Sequence, residues 1–266
     1  MTPARRKSGA TPRAVRTLHF DCAIGRWSLR LLAPPADLAG YVDTFWEVQG
    51  FANYARERIL PKGNIELMFN LGLPHRVLDP GHPAGAETYR DAWLSGLQRR
   101  PLVVEPCFDA RRVASHLVAV RLRPAGAYAL LGMPMNEVSN QVIDLDALLG
   151  RSAASVTNEL REQQSAESRF ALLERFVRVR VAAGPPLRPL VHWAAAQIER
   201  AHGALRIDAL NRELGVSRKH LSRTFREQIG LAPKQYAGIM RFQRLIAALQ
   251  QPAPQSWSAL AQSCGY

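Results

Sequence analysis

Between Leu18 and about Arg123, short apolar runs alternate with turn residues. YVDTFWEV, RILPKGNIELMFNLG and SHLVAVRLRP have the length and the β-branched and aromatic content of strands, punctuated by Pro, Gly and Asn. Beyond Pro124 the pattern lengthens. GAYALLGMPMNEVSN and IDLDALLG read as short helices. SAASVTNELREQQSAESRFALLERFVRVRVAA reads as a helical connector, with Leu160, Phe170, Leu173, Phe176 and Val177 at three-to-four spacing. Those positions suit packing on the β domain, and a dimer-forming face is the alternative. The paired prolines of GPPLRP (184–189) bar helix and mark a linker. From Leu190 onward the pattern is helical throughout. The expected fold class is α+β. A basic arm (1–17) precedes a β-rich, barrel-like sensor or dimerisation domain (18–150). A helical connector (151–184) and an all-α helix-turn-helix domain (185–266) follow.

The last part contains a repeat. IDALNRELGV (207–216) lies over WSALAQSCGY (257–266) at an offset of 50 residues, with Ala, Leu and Gly at matching places. In the first copy Asp208 is a candidate N-cap, and Leu210 and Leu214 share one helix face. Gly215 stands where a left-handed residue turns the chain, and Ser217 caps the next helix. In that helix, RKHLSRTFREQI, Leu221, Phe225 and Ile229 recur every fourth residue and belong inside. Lys219, Ser222, Arg223 and Arg226 share the opposite face, and Gly230 ends the helix. Two short helices, a glycine turn and a basic outer face make a helix-turn-helix.

Charge sharpens this picture. The chain has 266 residues and a formal charge of +13. Residues 1–16 carry five cations and no acid, residues 185–266 carry 11 cations and 4 acids, and the middle is nearly neutral. Basic ends on a neutral body suit a polyanion partner, here double-stranded DNA. An α-helix fits the major groove, where Arg or Lys pairs bidentately with guanine. Lys219, Ser222 and Arg223 are therefore expected to read bases, and Arg218, Arg226 and Arg241 to hold phosphates; His220 could add a phosphate contact. The basic start lacks the apolar core of a secretory signal and reads as a solvated tail or an arm on phosphates.

On these residues the chain resembles the AraC/XylS family of bacterial transcription regulators. The resemblance rests on Leu210, Gly215, Ser217, Leu221, Arg223, Phe225, Gly230, Pro233, Tyr236 and Arg241, followed by WSALAQSCGY. It covers about residues 190–266. More loosely, ILPKGNIELMFNLG, Trp93-x-x-Gly96-x-Gln98 and VRLRPAGAYALLGMP resemble a sensor domain of that family. The resemblance implies sequence-specific DNA binding by two units on one long helix, a small-molecule effector and a homodimer. Asn211 departs from the family's small Ala, and Ala232 from its Ser/Thr cap. The second unit is expected to continue into its own recognition helix, yet Tyr266 is the last residue. The alternative function is a ligand-binding or dimerisation protein with impaired DNA binding.

Other chemistry is disfavoured. Three widely spaced cysteines form no disulfide framework and no CxxC pair, which fits a reducing cytoplasm. No apolar run approaches the roughly 18 residues of a membrane span. The seven histidines form no HxH or HExxH pair, so no metal or other cofactor is expected. His75 and His82 read as solvated loop residues and Glu66 as an ion-pair partner. Cys107 is the sole candidate nucleophile, for an alkyl-acceptor reaction, but it lacks an activating neighbourhood; the chain is not expected to be an enzyme. Trp27, Phe45, Trp46, Phe69 and Trp93 are expected in the β-domain core or lining a ligand pocket.

Overall fold

The computed structural model describes residues 13–78, 85–106, 114–186, 188–250 and 256–266. Seven strands pair antiparallel in the larger sheet: β1 (Arg16–Cys22), β2 (Gly25–Leu32), β3 (Val42–Ala52), β10 (Ser115–Leu122), β5 (Ile65–Asn70), β8 (Ala92–Ser95) and β11 (Val142–Asp144), in that spatial order. The smaller sheet runs β4 (Glu57–Ile59), β9 (Leu102–Pro106), β6 (His75–Leu78), β7 (Ala86–Tyr89), again antiparallel. The helices are α1 (Pro124–Leu131), α2 (Leu145–Leu149), α3 (Arg151–Glu162), α4 (Ala166–Ala183), α5 (Pro189–Arg200), α6 (Ile207–Glu213), α7 (Arg218–Ile229), α8 (Pro233–Leu249) and α9 (Trp257–Ser263). The chain is thus α+β, with ten strands before α1 and only β11 after it among the described residues.

The central strands are buried on both faces, which is why LMF and LVAV read as unbroken apolar runs. On one face Phe45, Leu67, Phe69, Val118 and Val120 meet the helices. Phe45 lies 6.4 Å from Phe170, and Phe69 meets Phe176 edge-on at 6.3 Å. The connector residues are therefore core. The other face points at the smaller sheet. There Trp46, Ala119, Met68 and Trp93 are cross-strand neighbours in one row, joined by Leu117 and Tyr89.

Several local expectations change. IDLDALLG is part strand: Val142–Asp144 pairs with β8 before Asp144 caps α2. The connector is two helices. The chain breaks at Gln163–Gln164, and Ser165 restarts it, its hydroxyl accepting from the Ser168 amide at 3.1 Å. Of the basic arm, residues 1–12 lie outside the described residues. Arg13 is tied down by Glu174 at 2.7 Å, and Arg16 already belongs to β1. No helix among the described residues is long and apolar enough to cross a membrane.

A buried charge cluster fastens α4 to the sheet. Glu47 of β3 is fully buried and accepts from Arg169 Nε (3.1 Å) and Nη2 (2.9 Å), from Arg30 Nη1 (3.2 Å), and stands 3.0 Å from His116 Nε2. Burial alone would raise its pKa. The hydrogen bonds of His116 and Arg169 outweigh that and hold it down to about 2.

Candidate nucleic-acid interface

The first unit is built by its capping residues. Ser217 Oγ accepts from the His220 amide at 3.2 Å and starts α7. Gly230, at φ +101°, ends it. Between α6 and α7, Gly215 sits at φ +63°, a conformation that costs a side chain strain. Asp208 does not cap α6. The helix starts at Ile207, two residues before an Asp208 cap would place it, after an Arg206 that offers no side-chain cap. Asp208 instead accepts an ion pair from Arg218 at 2.7 Å, in the first turn, where the helix dipole still favours an acid.

The two copies of the repeat share their backbone bonds. The Gly215 amide donates to the Arg212 carbonyl and the Val216 amide to that of Asn211 (both 3.2 Å). Fifty residues on, Gly265 donates to Gln262 (3.1 Å) and Tyr266 to Ala261 (3.0 Å). Leu210 and Leu260 are buried in both, and Gly265 is also left-handed, at φ +84°.

Helix α7 has the two faces the pattern demands. Leu221, Phe225 and Ile229 are buried, Phe225 at 5.8 Å from the Tyr236 ring. Lys219, Arg223 and Arg226 are exposed and Ser222 half-exposed on the other side. Among the described residues no carboxylate pairs with those three cations; Arg218 is paired but its side chain is still 76% exposed. His220 is also exposed. The structure thus brings five of the six expected site residues to one surface. Arg241 is elsewhere. It is half-buried on α8, donates to the Gly203 carbonyl at 2.7 Å and lies 5.8 Å from the Tyr266 ring. Its guanidinium braces two turns and is not presented with the others.

The unit is docked on the β domain by its underside. Ser139 Oγ donates to the Gly230 carbonyl at 2.9 Å, and Tyr128 Oη donates to Glu227 at 3.4 Å. Gly63, before β5, lies beneath α8 so closely that an added Cβ would stand 2.1 Å from Met240 Cε. Gln243 Nε2 donates to the Pro61 carbonyl. This docking leaves the basic face of α7 open.

Two departures from the family pattern have visible consequences. Asn211 is 7% exposed and its Oδ1 has no partner. Ala232 offers α8 no side-chain cap, but its own amide donates to Gln235 Oε1 at 3.1 Å.

A second set of polar atoms sits between the sheets, among aromatics that the sequence places in the core or along a ligand pocket. His75 is not a solvated loop residue. It belongs to β6, its ring 5.6 Å from that of Trp93, and Nε2 is buried without a partner. Burial lowers its pKa to about 4. Trp46 Nε1 is buried and unpartnered too. Because the native pKa lies below the ordinary 6.5, the unfolded chain takes up the proton first. Stability from His75 is complete above about pH 6.5 and declines as pH falls toward about 4. The expected loss is on the order of 3 kcal/mol at most, at roughly 1.4 kcal/mol per pKa unit. Denaturant titrations across that window should show the decline in the parent and a flatter profile in His75→Phe. Identical profiles would refute the burial of a neutral imidazole.

Glu66 pairs with Arg121 at 2.8 Å, as expected. Cys107 and His82 lie outside the described residues. Among the described residues no cluster of ligating side chains could hold a metal.

A domain family of unknown function, DUF6597, matches residues 30–144. That interval runs from β2 to β11. No curated protein matches. Among solved structures, the chain is similar to ToxT from Vibrio cholerae O395, with 10% identity over 84% of this chain and 88% of that one and a TM-score of 0.41. The P21 form of ToxT from Vibrio cholerae matches at 9% identity over 91% of this chain and 89% of that one, with a TM-score of 0.43. Unsaturated fatty acid bound ToxT from Vibrio cholerae strain SCE256 matches at 12% identity over 81% and 83%, with a TM-score of 0.41.

Proposed function

We propose that this chain is a sequence-specific, DNA-binding transcription regulator of the AraC/XylS type. The observation that carries this reading is the open basic face of α7, with Lys219, Arg223 and Arg226 exposed above a buried Leu221–Phe225–Ile229 seam. Lys219, Ser222 and Arg223 occupy the first half of the helix, the part that reaches base edges when such a helix enters a major groove. Arg218 and Arg226 flank them and hold phosphates. Arg241 acts on the turns at Gly203 and Tyr266 rather than on DNA. The β domain is the sensor. Trp46 Nε1 and His75 Nε2 lie buried without partners between its sheets.

Selection from a random DNA pool at two salt concentrations tests this. A preferred duplex should emerge and persist at the higher salt. Arg223→Ala should lose about 1–3 kcal/mol of discrimination at one base position. Arg226→Ala should weaken all duplexes alike and lower the salt slope by about 1. Equal effects of both substitutions on every sequence would remove the assignment of faces.

A further inference from the structure

The motif Trp93-x-x-Gly96-x-Gln98 plays no part in the basic face of α7. In the fold it seats the loop that follows Glu137. Gly96 passes so close to that loop that an added Cβ would clash with the Val138 carbonyl oxygen. The Gly96 amide donates to the Gln141 carbonyl at 3.0 Å, and Gln98 Nε2 donates to the same oxygen at 2.9 Å. The Asn140 amide donates to the Leu97 carbonyl at 2.8 Å, and the Arg99 amide donates to Asn140 Oδ1 at 2.9 Å. Asn140 is left-handed, at φ +59°, a conformation that asparagine adopts more readily than most side chains. Between these ties Ser139 Oγ stands 2.9 Å from the Gly230 carbonyl and 3.0 Å from that of Met135. Gly230 ends α7, and a Cβ there would clash with Ser139 Oγ. One short loop therefore touches both the motif and the end of α7.

The same loop walls a cavity of about 810 Å³, a volume within the range of small-molecule sites. Asn140 and Gln141 line it beside Arg99 and Arg100, both exposed. Among the described lining residues Glu87 is the one acid, and its carboxylate already accepts from Tyr89 Oη at 2.6 Å. Leu78, Pro101 and Leu102 supply apolar wall. We propose that this cavity binds a small carboxylate with an apolar body, and that the bound anion braces the loop against Gly230 of α7. Two cations against one engaged acid leave the polar end positive, and a guanidinium pairs a carboxylate through two parallel hydrogen bonds. The side-chain amides of Asn140 and Gln141 add donors. Because the Arg99 amide holds Asn140, an anion on the Arg99 guanidinium meets a different site once the loop leaves its seat, which is the differential affinity a switch needs. Ser139, the neighbouring residue, carries that preference to Gly230. Bracing the seat favours the arrangement in which the basic face of α7 stands open, so the anion raises affinity for DNA. The binding site does not depend on the regulator reading above; its effect on DNA rests on it.

The full chain is titrated calorimetrically with N-acetylleucine, cyclohexanecarboxylate and hexanoate, each beside its uncharged amide. At least one carboxylate should bind, and its amide should bind about 10-fold more weakly or not at all. Arg99→Gln and Arg100→Gln should each lower the affinity about 10-fold, whereas Arg58→Gln, at an exposed arginine outside the cavity, should match the parent. The preferred duplex is then titrated with and without that carboxylate. The carboxylate should tighten DNA binding about 5-fold or more, and the duplex should tighten carboxylate binding by the same factor. Ser139→Ala should keep the carboxylate affinity and lose the coupling. Binding of none of the three carboxylates, equal binding of the amides, or an equal loss in Arg58→Gln would overturn the site. Carboxylate binding that leaves DNA affinity unchanged, or coupling that survives in Ser139→Ala, would overturn the relay alone. A parent that binds no duplex would overturn the regulator reading and the relay with it, while the calorimetry still decides the cavity.

Discussion

Glu47→Leu is expected to cost about 3–5 kcal/mol of folding stability, the range found when one partner of a buried ion pair is removed. Glu47 is fully buried, and Arg169, the cation it would abandon, is itself 8% exposed. Arg169 would retain a 2.6 Å bond from Nη1 to the Gln163 carbonyl, but Nε and Nη2 would lose their acceptor. His116 and Arg30 lie nearer solvent, with side chains 18% and 28% exposed, and can turn to water. The double variant Glu47→Leu/Arg169→Met should recover at least half of the loss, since an apolar pair avoids the desolvation of two charges. Guanidinium titration of the parent, both single variants and the double gives the coupling directly. A cost below about 1 kcal/mol for Glu47→Leu would mean that the cluster does not fasten α4. The same group sets an acid limit. Its native pKa of about 2 lies below the ordinary 4.5, so its contribution is complete above pH 4.5 and declines as pH falls toward 2. Glu47→Leu should lack that share of the decline.

Phe225→Ala should cost a similar amount, about 3–5 kcal/mol, as large-to-small changes at buried aromatic positions do. Phe225 is fully buried between α7 and the Tyr236 ring of α8. The functional loss should exceed the thermodynamic one. Lys219 and Arg223 remain in place chemically, but the helix that aims them loses its anchor. Thermal melts and DNA titration on the same preparation check both. Full DNA affinity in a destabilised Phe225→Ala chain would show that the aim of α7 does not depend on this contact.

Helix α7 was legible because every feature that shapes it is local. Ser217, Gly215, Gly230 and the four-residue recurrence of Leu221, Phe225 and Ile229 all act within one turn of each other, and α7 has those boundaries. The central strands were legible for a related reason: burial on both faces leaves an apolar run. What depends on distant partners was not. Glu47 looks like an ordinary polar position in YVDTFWEV, and its main partner is 122 residues away. The residue type of Asp208 suits a cap, whereas its carboxylate pairs with Arg218, ten residues on. Arg241 carries a cation that sequence alone cannot distinguish from a phosphate ligand; its bond to the Gly203 carbonyl, 38 residues away, is invisible in the local pattern. The break between α3 and α4 was readable in retrospect, because Ser165 and Ser168 form the reciprocal cap of a helix start.

One continuous set of buried side chains runs from Phe45 and Leu67 in the sheet through Phe170 and Val191 to Phe225, Tyr236 and Ile239. The segment around Pro185 therefore joins two regions that share a single interior rather than two self-sufficient modules. Heat should disassemble the sheets and the helices α5–α8 together, in one cooperative transition. A displacement on the helix-facing side of the sheet therefore meets solid packing all the way to α7, with no slack tether in between.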